Sequence, residues 1–433
     1  MLNEIRIRNF KSIKELTLDL RYALSRAPNG YKDNARIFFL ECDGARANRT
    51  VPALGIFGPN ASGKTSILQA ASILRGMVIS RFNKRCFMPN KINTVTKETE
   101  STEIGVTFSG LSKIFDYSVV YNGTGILEER LSIDKEIEFL VKNEKIVELS
   151  GRLSEKIQDI QQEFQTRCIL SDSKKQERTL LWCLRKEFPG IAEELSFAFN
   201  FFKDQLAIFP SNNLPIPLAF DMLAAACEGE TEQKKKENAI KEISCLLKKF
   251  DSRIESFSFR TVLVDEVNIS MLQNIPFRLR PDDGGIEKVE VQTFHKNDKG
   301  SLVGFDLFEE ESKGTQRLMA LVALFLWATK NGKTVLIDEL EASLHPLLST
   351  SLISIFKDKR YNKSNAQLIF TTHNTDFLEW DVLQLSEVAL VDPRGFNGAQ
   401  VMRLSEIEGL RNANNFRRRY LNGDFGGIPF TAL

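Results

Sequence analysis

Histidine is scarce in this 433-residue sequence, which contains only His295, His345 and His373. Imidazoles that are so few and so scattered cannot build a histidine-ligated metal site. Cysteine is also sparse, with six residues and no C-x-x-C pair, and the two closest cysteines lie about fifteen residues apart. This spacing fits neither a zinc site nor the disulfide framework of a small secreted domain. The sequence therefore predicts reduced thiols.

Long hydrophobic runs are missing as well. The longest, Leu318 to Ala328, spans about eleven residues, whereas a membrane-spanning helix needs roughly 20. The opening residues, MLNEIRIRNFKSI, carry charges throughout and lack the apolar stretch of a signal peptide. We therefore expect a cytoplasmic protein with no membrane partner.

An excess of one charge sign is absent too. Lys plus Arg number 58 and Asp plus Glu number 57, for a formal net charge of +1. A balance this close gives no whole-molecule field that would attract nucleic acid. Direct contact with DNA or RNA would need a local basic patch, and the sequence leaves that question open.

The order of predicted elements divides the chain into three segments. Alternating residues at the start and five alternating segments between 103 and 149 predict strands, the latter as an antiparallel meander. From 151 to 253 the hydrophobic period becomes helical. Strands resume at Ile254, and an α/β block begins at Phe305. We therefore predict one domain from residues 1–150 and 254–433, with 151–253 as an α-helical insertion.

A glycine-rich segment matches the pattern G-x-x-x-x-G-K-[ST]. It follows a short apolar strand, Ala53–Phe57, and precedes a predicted helix, Lys64–Met77, and this context favours a P-loop over an ordinary glycine turn. Successive backbone amides and the helix N-terminus would surround phosphate oxygens. Lys64 would reach the β- and γ-phosphates of ATP, and the Thr65 hydroxyl would bind Mg²⁺. The predicted ATP-binding residues are Gly58, Pro59, Asn60, Ala61, Ser62, Gly63, Lys64 and Thr65.

A second apolar strand, Thr334–Ile337, ends in two carboxylates and resembles a Walker B motif. Asp338 would hold Mg²⁺ through its water shell, and Glu339 would polarise the attacking water as general base. An acidic strand end is common by itself, but the P-loop favours the catalytic interpretation.

Two further motifs gain weight from their position. Residues 311–317 place Ser312 and Gly314 at a helix start, which by itself is an ordinary N-cap. Their place one helix before Walker B favours a role in ATP binding. A strand at 369–373 ends in His373, which would contact the γ-phosphate and orient water. The segment Glu341–Pro346 follows Walker B, and the role of His345 stays open.

These motifs occur in the order found in ATP-binding-cassette (ABC) ATPases, and the opening strand at Ile7–Ile13 resembles that of the SMC and RecF group. The chain most resembles the AAA/OLD-like (overcoming lysogenisation defect) predicted ATPases, which look like ATPase subunits of anti-phage systems such as PARIS and the partners of RloB nucleases. The resemblance implies an α/β fold, an ABC/SMC-like P-loop ATPase head with an antiparallel β-subdomain and an inserted α-helical domain. The matching segments are Glu311–Arg317, Asp338–Pro346 and Arg418–Pro429.

The sequence departs from the family patterns at three places. Residues 311–315 occupy the position of the ABC signature sequence. They are Glu-Ser-Lys-Gly-Thr, whereas transporters have Leu-Ser-Gly-Gly-Gln. No glutamine lies between Gln69 and Gln158, so a Q-loop cannot be placed. Only about 60 residues follow His373, too few for the Toprim domain of OLD nucleases. We therefore expect no nuclease domain in this chain.

The resemblance implies a head-to-tail homodimer or a higher homo-oligomer, in which ATP bound by Lys64 is closed by Ser312 and Gly314 of another copy. It further implies a bacterial anti-phage defence complex with a Toprim or RloB-like nuclease effector and a phage protein as trigger. The alternative is an SMC/RecF-like DNA-repair or DNA-clamp ATPase, which the near-neutral charge disfavours. A transporter subunit and a non-hydrolysing, ATP-gated scaffold are further alternatives.

Overall fold

A computed structural model describes most of the chain, and two compact units are recognised within it. The first, here called the P-loop unit, comprises Met1–Ser211, Gly332–Leu340 and Asn365–Leu433. The second, the signature unit, comprises Asn212–Asn331 and Glu341–Ser364. The described residues are 1–22, 49–90, 101–158, 178–210, 232–250, 253–264, 277–279, 286–379, 381–393, 398–407, 410 and 415–428.

The P-loop unit contains a six-stranded sheet in which five strands run parallel and one edge strand runs antiparallel. Three of its central strands are buried along their whole length, which is typical of parallel strands that are covered on both faces. The carboxyl ends of parallel strands meet at one edge of a sheet, where ligands bind. In spatial order the strands are β17 (Gln400–Arg403), β16 (Val388–Asp392), β3 (Ala53–Phe57), β15 (Gln367–Thr371), β14 (Thr334–Ile337) and β9 (Leu206–Phe209).

A seven-stranded antiparallel sheet forms the second layer of this unit and confirms the predicted meander. Its inward-facing aromatic residues are buried, and the Phe108 ring stacks on Phe201 with centroids 3.9 Å apart. In spatial order the strands are β2 (Ile13–Asp19), β1 (Leu2–Phe10), β4 (Thr102–Gly110), β5 (Lys113–Tyr121), β6 (Ile126–Ile133), β7 (Glu136–Lys142) and β8 (Lys145–Leu149).

The helices between residues 64 and 200 of the P-loop unit contribute to one hydrophobic core with both sheets. The first of them begins directly after the last glycine of the P-loop and contacts β1, β4 and β9. Its buried residues include Ile67, Leu68 and Leu74, which fixes the start of the helix beneath the loop. The helices are α1 (Lys64–Ile79), α2 (Gly151–Gln158), α3 (Leu180–Glu187), α4 (Glu193–Asn200) and α8 (Phe416–Leu421).

The boundaries of the two compact units differ from the predicted domain boundaries at 150 and 254. The P-loop unit includes α2, α3 and α4 from the predicted insertion. After a π-helical turn at Phe201–Gln205, β9 pairs in parallel with β14 as an edge strand of the main sheet. A four-residue strand directly after a helical run has too short an alternation to be recognised by its period. Residues 159–177 and 211–231 of the predicted insertion lie outside the described residues.

The signature unit contains an antiparallel sheet and three described helices. Two of these helices pack together, and the Phe325 and Phe356 rings meet edge to face at 4.9 Å. The apolar run Leu318–Ala328 is largely buried within one of them, and none of the helices in the described ranges is long and apolar enough to cross a membrane. The elements are α5 (Glu232–Phe250), β10 (Ile254–Val264), β11 (Phe277–Leu279), β12 (Ile286–Lys296), β13 (Leu302–Asp306), α6 (Lys313–Asn331) and α7 (Pro346–Lys357).

Candidate nucleotide site

The P-loop turns between β3 and α1 in backbone conformations that favour glycine. Gly58 has a φ of 154°, Ala61 of 58° and Gly63 of 105°. A Cβ atom would lie 2.5 Å from the Val391 carbonyl oxygen at Gly58 and 2.9 Å from the Ser12 hydroxyl at Gly63. Both glycines are therefore required, one by a close backbone approach and the other by its left-handed conformation.

The loop brings a buried hydroxyl next to the N-terminus of α1. The N-cap residue Gly63 supplies no side-chain cap, and the first turn contains no acidic residue. A helix N-terminus without an acidic side chain nearby favours the binding of an anion. The Ser62 hydroxyl is buried and has no hydrogen-bond partner among the described residues. A buried hydroxyl without a partner costs about 1–3 kcal/mol, and a phosphate oxygen at this position would satisfy both groups.

Lys64 places its positive charge inside the loop. Its side-chain ammonium group donates to the carbonyl oxygens of Gly58 at 2.8 Å and Pro59 at 2.9 Å. The residue is only 5% exposed. In contrast, Asn60 and Ala61 at the tip of the loop are exposed. The ammonium group is therefore held within the loop, below its exposed tip.

Asp338 directly follows β14, and its carboxylate contacts two hydroxyl groups, one from α1 and one from β15. The Thr65 hydroxyl lies 3.0 and 3.1 Å from the two Asp338 carboxylate oxygens, and the Thr371 hydroxyl donates to Oδ1 at 2.6 Å. Asp338 is 5% exposed. Hydroxyl and carboxylate oxygens are ligands that Mg²⁺ prefers, and in proteins the ion takes further ligands from water and substrate phosphates. The residues therefore fit a magnesium–nucleotide complex.

Glu339 follows Asp338 in an uncommon backbone conformation. It is half-buried, has a φ of 46° and donates from its amide to the Thr371 hydroxyl at 2.8 Å. A left-handed conformation in a residue other than glycine is strained, and such residues cluster at functional sites. The Thr371 hydroxyl therefore fixes both acidic residues, because it donates to one and accepts from the next.

His373 lies two residues beyond β15 and is exposed. The turn after it is well ordered, since Asn374 donates from its amide to the Thr372 hydroxyl and caps a short helix at Thr375–Leu378. Arg417 forms an ion pair of 2.8 Å with Asp376 in this turn. The imidazole therefore stands on a fixed turn at the same sheet edge as the P-loop.

The predicted signature residues lie in the signature unit. Ser312 is exposed and caps α6, because its hydroxyl accepts a hydrogen bond from the Thr315 amide at 3.1 Å. A Cβ atom at Gly314 would lie 2.9 Å from the Ser343 carbonyl oxygen. His345 caps α7 through a 3.3 Å hydrogen bond that its Nδ1 accepts from the Leu347 amide, which gives this histidine a structural role.

Sequence reasoning missed the contribution of the turn between β1 and β2. Ser12 lies against the last glycine of the P-loop, and Lys11 donates to Gln69 of α1 at 2.5 Å. Asn9 and Lys11 have positive φ values of 53° and 49°. Asparagine is enriched in this conformation, lysine is not, so the sequence carried only a weak signal for a turn that supports the P-loop.

The C-terminal residues also pack against the site. The Tyr420 ring meets Phe57, the residue before the P-loop, edge to face at 6.5 Å, and its hydroxyl donates to Gly427 at 2.7 Å. The Gly427 amide donates to Asp392 at the end of β16. The consecutive glycines 426 and 427, both with positive φ, were the available signal for this tight turn.

A glycine-rich loop on a helix N-terminus beside a buried aspartate at the end of a parallel strand defines a P-loop nucleotide-binding protein. Residues 54–379 match the family described as "AAA domain, putative AbiEii toxin, Type IV TA system". The chain therefore belongs to this family of ATPase domains. Membership implies nucleotide binding, and the predicted α/β P-loop ATPase head with an antiparallel β-subdomain is confirmed by the family match and by the two observed sheets.

Two solved SMC heads are similar to the chain at low sequence identity. The SMC head solved with the C-winged helix domain of ScpA is 13% identical, with a TM-score of 0.46, and the match covers 93% of this chain and 96% of that one. The SMC head domain from Thermotoga maritima is 13% identical, with a TM-score of 0.40, and covers 93% and 98%. No curated protein matches the chain. Similarity this distant supports no functional inference.

Proposed function

We propose that the chain hydrolyses ATP with Mg²⁺ at the P-loop. The observation that carries this proposal is the contact between the Thr65 hydroxyl and the Asp338 carboxylate at 3.0 Å. It joins the residue after the P-loop lysine to the end of a neighbouring strand, and these are the two ligand positions that P-loop ATPases use for Mg²⁺.

Each residue of the site has a role that follows from its chemistry. The P-loop amides and Lys64 would bind the phosphates, and Thr65 and Asp338 would hold Mg²⁺, which when bound neutralises phosphate charge. Glu339 would accept a proton from the attacking water, and His373 would contact the γ-phosphate. Such residues act mainly by positioning and electrostatics, which suits side chains that are fixed by Thr371 and by the turn after β15.

We further propose that ATP is closed by a second copy of the chain, in a homodimer or a higher homo-oligomer. The exposure of Ser312 and the position of Gly314 beside it support this proposal, because a helix N-terminus with an exposed serine can bind the phosphates of a neighbouring subunit. Binding of the γ-phosphate would then change the contacts between subunits, as in other switches ordered by phosphate.

The biological role that we propose is defence against phage. The description of the family as a toxin-like AAA domain of a type IV toxin–antitoxin system supports a role in growth control during infection. In this proposal the ATP-bound oligomer holds a Toprim or RloB-like nuclease effector and releases it when it senses a phage protein.

Replacement of Glu339 by Gln tests the proposed hydrolysis. The amide cannot accept a proton, so we expect turnover to fall by roughly 100-fold or more, while ATP binding and ATP-dependent association persist. Turnover by phosphate release and association by sedimentation velocity measure these outcomes. Glu136, which is exposed in β7, provides the control variant Glu136→Gln. Wild-type turnover in Glu339→Gln would refute the assignment of the base.

The defence role requires its own test. The chain is expressed with its neighbouring gene products, purified by affinity with and without ATP, and its partners are identified by mass spectrometry. We expect a nuclease to co-purify and phage plating to fall in cells that carry the intact set. Absence of any nuclease partner, together with unchanged plating, would contradict the proposed role and leave the ATPase assignment intact.

A further inference from the structure

Glu311 is the first residue of the signature segment, residues 311–317, and is held by the antiparallel sheet of the signature unit. The Glu311 Oε1 atom accepts a hydrogen bond from His295 Nε2 at 2.6 Å and another from the Thr293 hydroxyl. The side chains of His295 and Glu311 are 23% and 11% exposed, and Thr293 is fully buried. Thr293 and His295 lie two residues apart in β12, so their side chains share one face. We call these three residues the Glu311 cluster.

The backbone of Glu311 is fixed as firmly as its side chain. Its carbonyl oxygen accepts a hydrogen bond from the Gln316 side chain at 3.0 Å, and its amide donates to the Asp306 carbonyl oxygen at 3.3 Å. Gln316 is only 3% exposed. In contrast, Ser312, the next residue, is exposed. Ser312 is therefore exposed directly after a residue whose amide, carbonyl oxygen and Oε1 atom all have hydrogen-bond partners.

The Glu311 cluster accounts for a departure of this sequence from the transporter signature, which begins with leucine. A largely buried carboxylate is unfavourable unless it is paired and hydrogen-bonded. His295 and Thr293 supply both hydrogen bonds, and a leucine would need neither. Glu311 and its partners on β12 therefore connect the sheet to the signature segment through hydrogen bonds.

We propose that His295 is a positioning residue for ATP closure, which acts through Glu311 on Ser312. This inference rests on the proposed function, because it assumes that Ser312 closes ATP bound by another copy. Without His295, the Glu311 carboxylate loses its charge-assisted partner and turns towards water. The start of α6, together with Ser312, then loses the geometry that the other subunit's nucleotide needs.

The proposal is tested with the wild-type chain, the single variants His295→Ala, His295→Gln and Glu311→Ala, and the double variant His295→Ala/Glu311→Ala. ATP affinity is measured by calorimetry, ATP-dependent association by sedimentation velocity, and turnover by phosphate release. We expect His295→Ala to bind ATP within about twofold of wild type, but to lose roughly ten- to a hundredfold in turnover and to associate weakly. Glutamine keeps a donor at this position, so His295→Gln should recover most of the activity.

The double variant and a surface control separate positioning from loss of fold. If His295 acts through Glu311, the double variant should lose no more turnover than the worse single variant. Lys299, exposed in the turn between β12 and β13, gives the control Lys299→Ala. Thermal unfolding checks that each variant is folded. If His295→Ala does not fold, His295→Gln and the double variant still test the proposal.

The outcomes distinguish this proposal from the function on which it rests. Wild type that binds ATP without associating would overturn the proposed closure itself. If wild type associates, and folded His295→Ala associates and hydrolyses ATP equally well, only the role of His295 is overturned. Additive losses in the double variant would also overturn it, because the two residues would then act independently.

Discussion

The P-loop unit and the signature unit present their functional residues in opposite ways. Lys64 and Asp338 are each 5% exposed and are held by hydrogen bonds within their own unit. Ser312 is exposed, and its hydroxyl contacts only the first turn of its own helix, Thr315, among the hydrogen bonds described. The proposed phosphate site is thus enclosed within its unit, whereas the proposed closing serine is accessible from outside.

In the proposed function, ATP is bound by the P-loop unit of one copy and closed by the signature unit of another, and the two surfaces have different requirements. A phosphate cradle needs donors fixed in advance, since their reorganisation would weaken binding. A closing surface must stay accessible until nucleotide and partner arrive, so its rigidity comes from the residues behind it. Variants of the two regions should therefore separate nucleotide binding from closure.

The largest effect should come from Lys64→Ala in the P-loop unit. Removal of the buried ammonium group leaves the phosphates without their charge-assisted partner, and we expect ATP affinity to fall by on the order of 100-fold or more. Calorimetry with Mg²⁺ measures the change. Lys84, an exposed lysine, provides the control Lys84→Ala. Near-normal ATP affinity in Lys64→Ala would show that the P-loop does not bind the phosphates.

An intermediate effect is expected from Gly314→Ala in the signature unit. The new Cβ would lie 2.9 Å from the Ser343 carbonyl oxygen, so the backbone must shift. We expect turnover to fall roughly 10- to 100-fold with ATP affinity unchanged, which would confine the defect to closure. Gly125 has open space around it and gives the control Gly125→Ala. A parallel loss of ATP affinity in Gly314→Ala would break the comparison between the two regions.

The last prediction concerns the stability of the P-loop unit, not nucleotide binding or closure. Burial raises the pKa of Glu129 from 4.5 to about 7, although hydrogen bonds from Tyr117 and from the Leu180 and Leu181 amides favour its charged form. Between these pH values the folded chain holds a proton that the unfolded chain releases. The free energy of unfolding should therefore fall as pH rises from 4.5 to 7, by on the order of 3 kcal/mol at most.

Urea unfolding at pH 5 and pH 7.5 measures this dependence, and Glu129→Gln should reduce it. Glu128, the next residue in β6, is half-buried and pairs with Lys142 at the surface, so Glu128→Gln is a matched control that should keep the wild-type dependence. An unchanged pH dependence in Glu129→Gln would show that another group carries the protonation.

Much of the fold could be predicted because its signals are local. The alternation between 103 and 149 predicted five strands that the structure contains, and β10 begins and ends at the predicted residues, Ile254–Val264. The P-loop was recognisable because its glycines and lysine are adjacent in sequence. The predicted roles of Glu339, His373, Ser312 and Gly314 remain proposals.

Contacts between distant segments could not be predicted in the same way. The sequence gives no sign that β9 completes the main sheet, because its four residues are too few to display a period. Ser12 and Tyr420 each lie far along the chain from the P-loop, yet one meets Gly63 and the other Phe57. His295 shows the same limit, since an isolated histidine in a strand does not reveal the carboxylate that it will meet.

The sequence by itself determined that this chain has a P-loop, an acidic strand end and the alternating strands of a β-subdomain, because each is encoded by neighbouring residues. The tertiary structure alone decided which groups share hydrogen bonds: Thr65 with Asp338, Thr371 with both acidic residues, and His295 with Glu311. These pairings depend on strand order and on the path of the chain between elements, and no local pattern of residues specifies either.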